Sequence, residues 1–467
     1  MGLTKAHNRM ITGAPANVLD FGAVGDGVTD DTAAVAAAIS YGIDNSRSVF
    51  LPAGTYVVTD QVMNYSKLSG GSPITLYGEG RGISKISLSG EIADYVFKAY
   101  GDTTSYGNSS HPSGLTFAGF SVLGDNTNIQ RVFDLAMLSY VTFREVNCFQ
   151  CKGLNLRMRE CWEVELGLKI VRGGDVAEHA ISLDYYFATH VADSACNNVN
   201  FGKAFQCEAS PWTAIYWGKN TRKCTFAGKV HADLSVTYTT PAIQLDGATN
   251  NNFTGANISW NSVQSVRISN DSGYIPSENN FIGCEVISGG VELSGDCRRN
   301  MFISNGGNTV DATTAFITLD GGQDNFVLGN MVTGGGADVS YTNISNLARY
   351  QLPSRVQVGQ TPPVDEDVVL HSYHTTQDET ALFESGDFQS FVRFKDGSNT
   401  KDIRTGCKGN NYLVQLNGAD VLKLDDNTAS GNTKLWIFDV DTGSLARVSV
   451  GAADTGGAGF KVLRIPN

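Results

Sequence analysis

The sequence predicts an all-β protein whose chain winds into a right-handed, single-stranded parallel β-helix. One phrase recurs at a spacing of roughly 26 residues between Val132 and Leu319. The phrase contains alternating apolar residues without a helical period, and an Asn followed by a Phe closes most copies. A repeat of this length is typical of stacked arrays, in which each unit buries the apolar face of its neighbour.

The alternating part of the repeat predicts a strand in every coil. It reads GLNLR at Gly153, AISLD at Ala180, AIYWG at Ala214, AIQLD at Ala242, SVRIS at Ser265, GVELS at Gly290 and FITLD at Phe316. Neighbouring coils are hydrogen-bonded strands, so equivalent positions should form ladders with a spacing of about 4.8 Å. We expect the Asn to form a sharp turn and the Phe to form an interior column, at Phe201, Phe226, Phe253, Phe281, Phe302 and Phe326.

The N-terminal region predicts a short polar leader over residues 1–18 and a β-helix over residues 19–345. Thr29, Asp30 and Asp31 precede an Ala-rich segment, and they should cap a helix from about Thr32 to Ser40. Such a helix would cover the open end of the first coil. The nearby glycines at 78, 80 and 82 are interpreted as turns instead of a phosphate loop, because no helix follows them.

The C-terminal region has a different pattern. After Gly334 the repeat ends, and Pro with charged residues predicts a linker over residues 346–367. Residues 368–467 contain alternating strands with tight turns at Asn417 and Asp441. This segment would form either a small β-sandwich or a β-rich trimerisation domain. The second is favoured because the open C-terminal end of a solenoid must be covered. Glycan binding by this domain is an alternative role.

Composition excludes several classes of partner. The 467 residues carry a formal net charge of −13, which argues against nucleic acid and anionic membranes. No apolar segment approaches the roughly 18 residues of a membrane span. Nine cysteines without disulfide spacing indicate reduced thiols, and the Cys148/Cys151 CxxC is interpreted as core packing instead of a zinc site. We therefore expect no metal and no cofactor.

A first candidate site follows from counting along each coil. The seventh residue beyond the Phe is Glu208, Asp233 and Trp260 in three consecutive coils, within a ladder that also holds Gln150 and Ser288. Two carboxylates roughly 5 Å apart raise the pKa of one of them, and glycosidic hydrolysis needs one protonated and one ionised acid. His231 shares the strand face of Asp233, where it would orient that residue or share its proton.

Aromatic residues near this ladder are candidates for sugar binding. Trp212 and Tyr216 follow the strand that ends at Glu208, and Tyr238 lies in the next loop. Trp217 alternates towards the interior, so we expect it in the core. Together with Trp260, the three outward aromatics would offer planes for stacking sugar rings.

A second candidate ladder lies on the strand of the alternating phrase. Its outward positions are Arg157, Asp184, Gly218, Asp246 and Ser269. Asp184 and Asp246 would lie two coils, roughly 9 to 10 Å, apart, which is typical of an inverting pair of carboxylates. The longest interruption of the repeat begins at Arg172 and brings further titratable residues, namely Asp175, Glu178, His179 and His190.

These features resemble a known superfamily. The segment DFGAVGDGVTDD, the Ala-rich helix, LPAGTY and the coil repeat are similar to pectate-lyase-like right-handed β-helices, and most of all to bacteriophage tailspike or tail-fibre depolymerases. The resemblance covers roughly residues 17–339, and the opening motif is specific for the fold but not for the reaction. It implies a homotrimer in the virion tail, attached through its N-terminus to other phage tail proteins. Such a protein is made in the host cytoplasm, binds a bacterial surface polysaccharide outside the cell and usually cleaves it.

Three functions are consistent with these sequence features. In hydrolysis, Glu208 or Asp184 would protonate the glycosidic oxygen while Asp233 or Asp246 activates water. In a lyase, a base would remove a proton from a uronic acid for β-elimination; the candidate bases are His231, Lys229 and Arg157. In an adhesin, the same surface would bind glycan without turnover.

Overall fold

The computed structural model describes residues 11–66, 74–101 and 114–342, with gaps at 176–177, 186–195, 209–211, 233–237, 261, 263, 309–315, 321, 323, 329 and 334–338, and six strands between residues 389 and 448. The chain divides into two compact units, Met1–Gln351 and Leu352–Asn467. In the described residues of the first unit the strands pair in parallel, coil upon coil. The predicted parallel β-helix is confirmed there.

The helix near the N-terminus is confirmed and is longer than predicted. It spans Thr32–Asp44, after a short 3-10 segment at Val18–Phe21. Its buried residues recur every three or four positions, at Val35, Ala38, Ile39 and Gly42. This face packs on the first strands of the β-helix, so the helix covers the apolar residues at that end.

The capping of this helix differs from the prediction. The backbone N–H of Thr32 donates to Asp30 Oδ1 at 2.9 Å, as a capping carboxylate requires. Asp31 is buried, and it accepts instead from the backbone N–H groups of Val24 at 2.7 Å and Gly25 at 3.1 Å. Thr29 donates its hydroxyl to Asp26. Asp31 occupies the N-cap position but forms no side-chain capping bond. The predicted side-chain caps at Asp31 and Thr29 were therefore wrong, because both side chains bind the preceding loop.

Three strands form each regular coil of the β-helix. Two of them belong to a 21-stranded sheet, whose strands are Ala16–Asn17, Asp26–Asp30, Val49–Leu51, Gly54–Val58, Ile74–Gly78, Ser84–Leu88, Leu115–Leu123, Thr142–Phe149, Trp162–Val171, Asn197–Phe201, Gln206–Glu208, Thr225–Phe226, Lys229–His231, Asn252–Thr254, Asn257–Ser259, Asn280–Ile282, Glu285–Ile287, Met301–Ile303, Gly306–Asn308, Phe326–Leu328 and Met331–Thr333. The third strand belongs to an 11-stranded sheet, formed by Met63–Ser66, Ile92–Tyr100, Gln130–Ala136, Leu156–Arg159, Ile181–Asp184, Ile215–Trp217, Ile243–Asp246, Gln264–Ser269, Gly290–Ser294, Ile317–Asp320 and Val339–Thr342.

The phenylalanine column is confirmed in five coils. Phe201, Phe226, Phe253, Phe281 and Phe302 pair in register, and successive ring centroids lie between 4.3 and 5.5 Å apart. All five side chains are buried. The next rung is Val327, since Phe302 pairs with Val327 and the predicted Phe326 aligns with Met301. The column therefore fixes the vertical register of the coils.

The asparagines before the phenylalanines have a different role from the predicted turn. Four of them are buried and form an amide ladder with Nδ2 to Oδ1 distances of 2.9, 2.9 and 3.0 Å; they are Asn251, Asn279, Asn300 and Asn325. The left-handed backbone lies one residue earlier, at Asn250, Glu278, Arg299 and Asp324. The stacked amides also donate to buried backbone carbonyls, which must be satisfied inside the core.

The eight cysteines between Cys148 and Cys297 are free and buried. Burial raises the pKa of the Cys151 thiol to about 12, so it stays protonated. Cys148 and Cys151 are both fully buried, which confirms the packing interpretation of the CxxC. Within the described ranges, no group of three or more His, Cys, Asp or Glu side chains is arranged to hold a metal ion.

The described strands of the second unit form a six-stranded antiparallel sheet in sequence order. They are Gln389–Lys395, Asp402–Lys408, Asn411–Leu416, Ala419–Asn427, Asn432–Asp439 and Ser444–Val448. The turns predicted at Asn417 and Asp441 lie outside the described residues. In the described part of the chain, no helix has the length and apolar character to cross a membrane.

Candidate active site

The first predicted ladder is not assembled as expected. Glu208 pairs with His231, and His231 pairs with Ser259, so the seven-residue count does not hold from coil to coil. Four residues separate the two strands after Phe201, whereas two residues separate them after Phe226. The register with Asp233 was therefore wrong. Asp233 itself lies outside the described residues.

Glu208 is bound by its neighbours on the 21-stranded sheet. Its Oε1 accepts from Lys169 Nζ at 3.3 Å and from the side-chain amide of Gln206. Burial lowers the pKa of His231, while the nearby Glu208 carboxylate acts in the opposite direction. The described residues thus place an ion-paired carboxylate beside a half-buried imidazole, without a second carboxylate in that ladder.

The aromatic residues of this region are mostly packed. Trp260 is fully buried, its indole N–H donates to the Thr240 carbonyl at 3.0 Å, and its ring packs on Tyr238 at 4.6 Å. Its predicted role as an exposed sugar platform was wrong, because the side chain, just after the strand Asn257–Ser259, is packed in the interior. Trp217 is buried against Phe201 and Phe253, as predicted. Trp212 and Tyr238 remain partly exposed.

The second predicted ladder is largely confirmed by the register. Leu183, Trp217 and Leu245 pair in register on the 11-stranded sheet, so the residues that directly follow them, Asp184, Gly218 and Asp246, lie at successive positions. Asp246 in turn pairs with Ser269. The rung before Asp184 is Arg159, because Leu156–Arg159 pairs with Ile181–Asp184; the predicted Arg157 pairs with Ser182 on the adjacent ladder. The two carboxylates therefore flank a glycine on one outward face.

Asp184 lies in an environment that favours its protonated form. Burial raises the pKa of Asp184, and the nearby charge of Asp246 raises it further. The backbone N–H of Tyr185 donates to its Oδ1 at 2.8 Å and lowers the pKa, as do Lys219 and Arg159. Burial is the largest of these effects, so the direction is upward.

Asp246 is held by two donors. Only 6% of the residue is exposed, and its Oδ1 accepts from the backbone N–H of Ser272 at 2.8 Å. Its Oδ2 accepts from the Tyr216 hydroxyl at 3.2 Å. Burial and the charges of Asp246 and Asp184 raise the pKa of Tyr216, so this phenol keeps the proton that it donates.

The long interruption of the repeat adds residues beside Tyr216. The His179 imidazole stacks on the Tyr216 ring, with centroids 4.8 Å apart and planes 8° apart, and burial lowers the pKa of His179. Glu178 forms an ion pair with Arg131, and Asp175 lies 3.7 Å from Lys152. His190 lies outside the described residues.

A buried acid missed by the sequence reasoning connects the arginines. Asp134 is fully buried, and it accepts from Arg157 Nε at 2.9 Å and from Arg159 Nη2 at 3.2 Å. Tyr100 donates to Asp134 and lies 2.7 Å from Arg159 Nη2. Aligning the coil at Gln130–Ala136 with the one at Leu156 would have revealed Asp134, since Asp134 pairs with Arg157.

The arrangement can carry acid and base chemistry on one face. Asp184 and Asp246 are two strands apart, roughly 9 to 10 Å between backbones. One carboxyl is biased towards its protonated form, and the other is fixed by a backbone N–H and a phenol. A pair of carboxyl groups near one bond is what glycosidic hydrolysis requires.

Comparisons with known proteins agree with the fold. Residues 16–130 match the family model described as rhamnogalacturonase A/epimerase, pectate lyase-like. The mannuronan C5-epimerase AlgE5 of Azotobacter vinelandii is 41% identical over 95 residues, which are 19% of this chain and 10% of that protein. The chain thus spans about a tenth of the curated relative that it matches.

Two solved structures are similar at low sequence identity. ORF18 of Geobacillus virus E2 is 16% identical with a TM-score of 0.45, over 93% of this chain and 86% of that chain. DFA-IIIase from Arthrobacter chlorophenolicus A6 is 14% identical with a TM-score of 0.49, over 70% and 90%. The first unit of the protein is a parallel β-helix, and its residues 16–130 match the pectate lyase-like family.

Proposed function

We propose that this protein binds and depolymerises a bacterial surface polysaccharide by hydrolysing its glycosidic bonds. The observation that carries the proposal is the Asp184, Gly218, Asp246 ladder, in which one carboxyl has a raised pKa and the other is fixed by donors. Perturbed carboxyls that share a concave or outward working face are typical of functional sites. The family description names a rhamnogalacturonase and an epimerase, which supports a carbohydrate substrate.

The mechanism assigns one role to each carboxyl. Protonated Asp184 donates its proton to the glycosidic oxygen as the bond to the anomeric carbon breaks. Ionised Asp246 accepts a proton from the water that attacks the opposite face of that carbon. The Tyr216 hydroxyl and the Ser272 N–H keep Asp246 oriented for this step. Net, one bond is hydrolysed, and attack of water from the opposite face inverts the configuration of the anomeric carbon.

A second candidate function is proton abstraction from a uronic acid, leading to β-elimination or epimerisation. The observation in its favour is the cluster of Arg157, Arg159, Tyr100 and buried Asp134 beside Asp184. Guanidinium groups neutralise a sugar carboxylate, and this lowers the barrier to removing the adjacent proton. A binding role without turnover is the third candidate.

The products discriminate among these functions. The purified protein is incubated with capsule or lipopolysaccharide from candidate hosts, and the released oligosaccharides are analysed. New reducing ends without an unsaturated uronide support hydrolysis, whereas an unsaturated uronide supports elimination. Binding without any change in the polymer supports an adhesin and contradicts the proposal.

The ladder around Glu208 is a second location for the acid, with His231 as its neighbour. Parallel assays of Asp184→Asn and Glu208→Gln separate the two locations. We expect the first substitution to abolish product release and the second to leave most of it, because Glu208 is engaged by Lys169. The opposite pattern would move the proposed site to the 21-stranded sheet.

We also propose that the protein works as a homotrimer in a virion tail, attached to other tail proteins through its N-terminus. The basis is the likeness of the opening motif and coil repeat to tailspike proteins. Light scattering on the purified full chain tests the trimer, with three chain masses expected. A monomer at micromolar concentration would contradict it.

A further inference from the structure

We propose that Gly218 is a positioning residue, which sets the separation of the Asp184 and Asp246 carboxyl groups by leaving the rung between them without a side chain. The inference rests on the proposed function and adds a residue that determines its geometry. It starts from the positions that directly follow Leu183, Trp217 and Leu245, three residues that pair in register: Gly218, which has no side chain, lies between Asp184 and Asp246.

The space that a side chain at position 218 would fill is occupied by Asp184 and Tyr216. A Cβ at this position would lie 2.8 Å from Asp184 Oδ1 and 3.0 Å from Asp184 Cγ. It would also lie 3.0 Å from Cε1 of Tyr216, the residue that donates to Asp246. The Asp184 carboxyl therefore leans across the glycine, along the ladder, towards Asp246.

The backbone does not require glycine here. Gly218 is absent from the described residues with positive φ, and its N–H donates to the Leu183 carbonyl at 2.7 Å in the strand ladder. Gly247, immediately after Asp246, is different because its φ of 72° favours glycine for conformational reasons. The missing side chain at 218 is therefore explained by the space that Asp184 occupies.

Alanine at 218 should move Asp184 at little cost in stability. Its closest contact is the end of a rotatable carboxyl side chain, which can turn away without a shift of backbone. Turning away separates Asp184 from Asp246 and exposes it to solvent. Misplacing a reacting group by about 1 Å costs roughly 100-fold in rate, so activity should fall far more than stability.

The test compares Gly218→Ala with Gly202→Ala in the full chain. Gly202 has no heavy atom within 4 Å of an added Cβ and no positive φ, so it controls for the loss of a turn glycine. Thermal midpoint, kcat, KM and the pH profile are measured on the polysaccharide that the wild type degrades. Crystal structures of wild type and Gly218→Ala give the position of Asp184 Cγ without reference to activity.

We expect Asp184 Cγ to move by about 0.5 Å or more in Gly218→Ala. In that variant kcat should fall about 10- to 100-fold with KM nearly unchanged. The alkaline limb of the pH profile of kcat should move to lower pH, because Asp184 is more exposed to solvent. Gly202→Ala should match the wild type. An unmoved Asp184, or a kcat loss no larger than that of Gly202→Ala, would overturn the inference. If Asp184 moves but Asp184→Asn retains full activity, the geometric inference stands and the proposed function fails.

Discussion

At the scale of single residues, the environment of Asp184 determines what this site can do. A carboxyl whose pKa is raised by burial and by a neighbouring carboxylate holds its proton above its ordinary titration range. Asp246 differs from Asp184 in its contacts, because the Tyr216 hydroxyl and the backbone N–H of Ser272 both donate to its carboxyl group and fix its orientation. In the proposed mechanism these two environments correspond to the acid and the base.

Replacing the proton donor should remove most of the activity. We expect Asp184→Asn to lower kcat about 100- to 10,000-fold, because general acid catalysis contributes that much. Reducing-end release gives the rate. Asp296→Asn is the matched control, since Asp296 is a carboxylate in an ion pair with Arg298. Equal rates for Asp184→Asn and the control would rule Asp184 out as the acid.

The cation beside Asp184 should tune the pH profile. Lys219 lowers the pKa of Asp184, and its ammonium lies 5.3 Å from the Tyr185 ring centroid and 5.2 Å from that of Tyr274. Removing the charge in Lys219→Met should raise the pKa of Asp184. Activity needs Asp184 protonated, so the alkaline limb of kcat should move to higher pH. An alkaline limb that stays at the same pH or moves to lower pH would contradict this effect of Lys219.

The raised pKa of Asp184 also makes the stability of the fold depend on pH. The folded state binds the Asp184 proton more tightly than the unfolded chain, so this group stabilises the fold at low pH. That contribution declines as the pH rises above 3.8, the ordinary pKa of an Asp side chain, and through the folded-state pKa. Compared with Asp184→Asn, the wild type should lose thermal stability across this window. If the melting temperatures of the two proteins change with pH in the same way, this expectation is contradicted.

Sequence reasoning located Asp184 and Asp246 because their phrases, AISLD and AIQLD, have the same length and pattern. It placed Arg157 on the wrong ladder, where the structure has Arg159. Alternation has a period of two, so the apolar pattern around Gly153 fits two alignments that differ by two residues. The pattern alone does not discriminate between them.

At the scale of the structural elements, the interior columns fix the register that brings the site together. Phe253 is fully buried between Phe226, with centroids 5.5 Å apart, and Phe281, at 4.3 Å. The asparagine ladder runs beside this column and satisfies buried carbonyls. A coil held at both points cannot slip without opening a cavity and leaving amides unpaired.

A cavity in this column should be costly. We expect Phe253→Ala to lower the free energy of unfolding by about 3 to 5 kcal/mol, the usual cost of truncating a buried Phe. Denaturant unfolding of the full chain measures it. Phe149→Ala serves as the control, since Phe149 is 41% exposed and should cost much less. Comparable losses in the two variants would show that the column is not the main source of rigidity.

The column could be predicted from sequence, whereas the Glu208 ladder could not. Phe residues mark a fixed point in every coil, but the turn that follows has four residues after Phe201 and two after Phe226. Counting forward from the Phe therefore loses register as soon as it crosses that turn. Turn lengths vary because surface loops tolerate insertions at little cost.

At the scale of the whole molecule, charge and architecture define the setting of the site. The chain has a formal net charge of −13, yet Arg157, Arg159 and Lys219 gather beside the carboxylate pair. The outward face of the 11-stranded sheet thus combines acids, cations and an aromatic pair in a small area. A solenoid offers such a surface because equivalent positions of successive coils lie side by side.

We propose that Asp184 and Asp246 hydrolyse a glycosidic bond with inversion. The most direct test follows the anomeric protons by NMR in the first minutes of digestion, before mutarotation equilibrates the new reducing ends. We expect the first product to have the anomeric configuration opposite to that of the cleaved bond. Retention of configuration, or release of an unsaturated uronide, would contradict it.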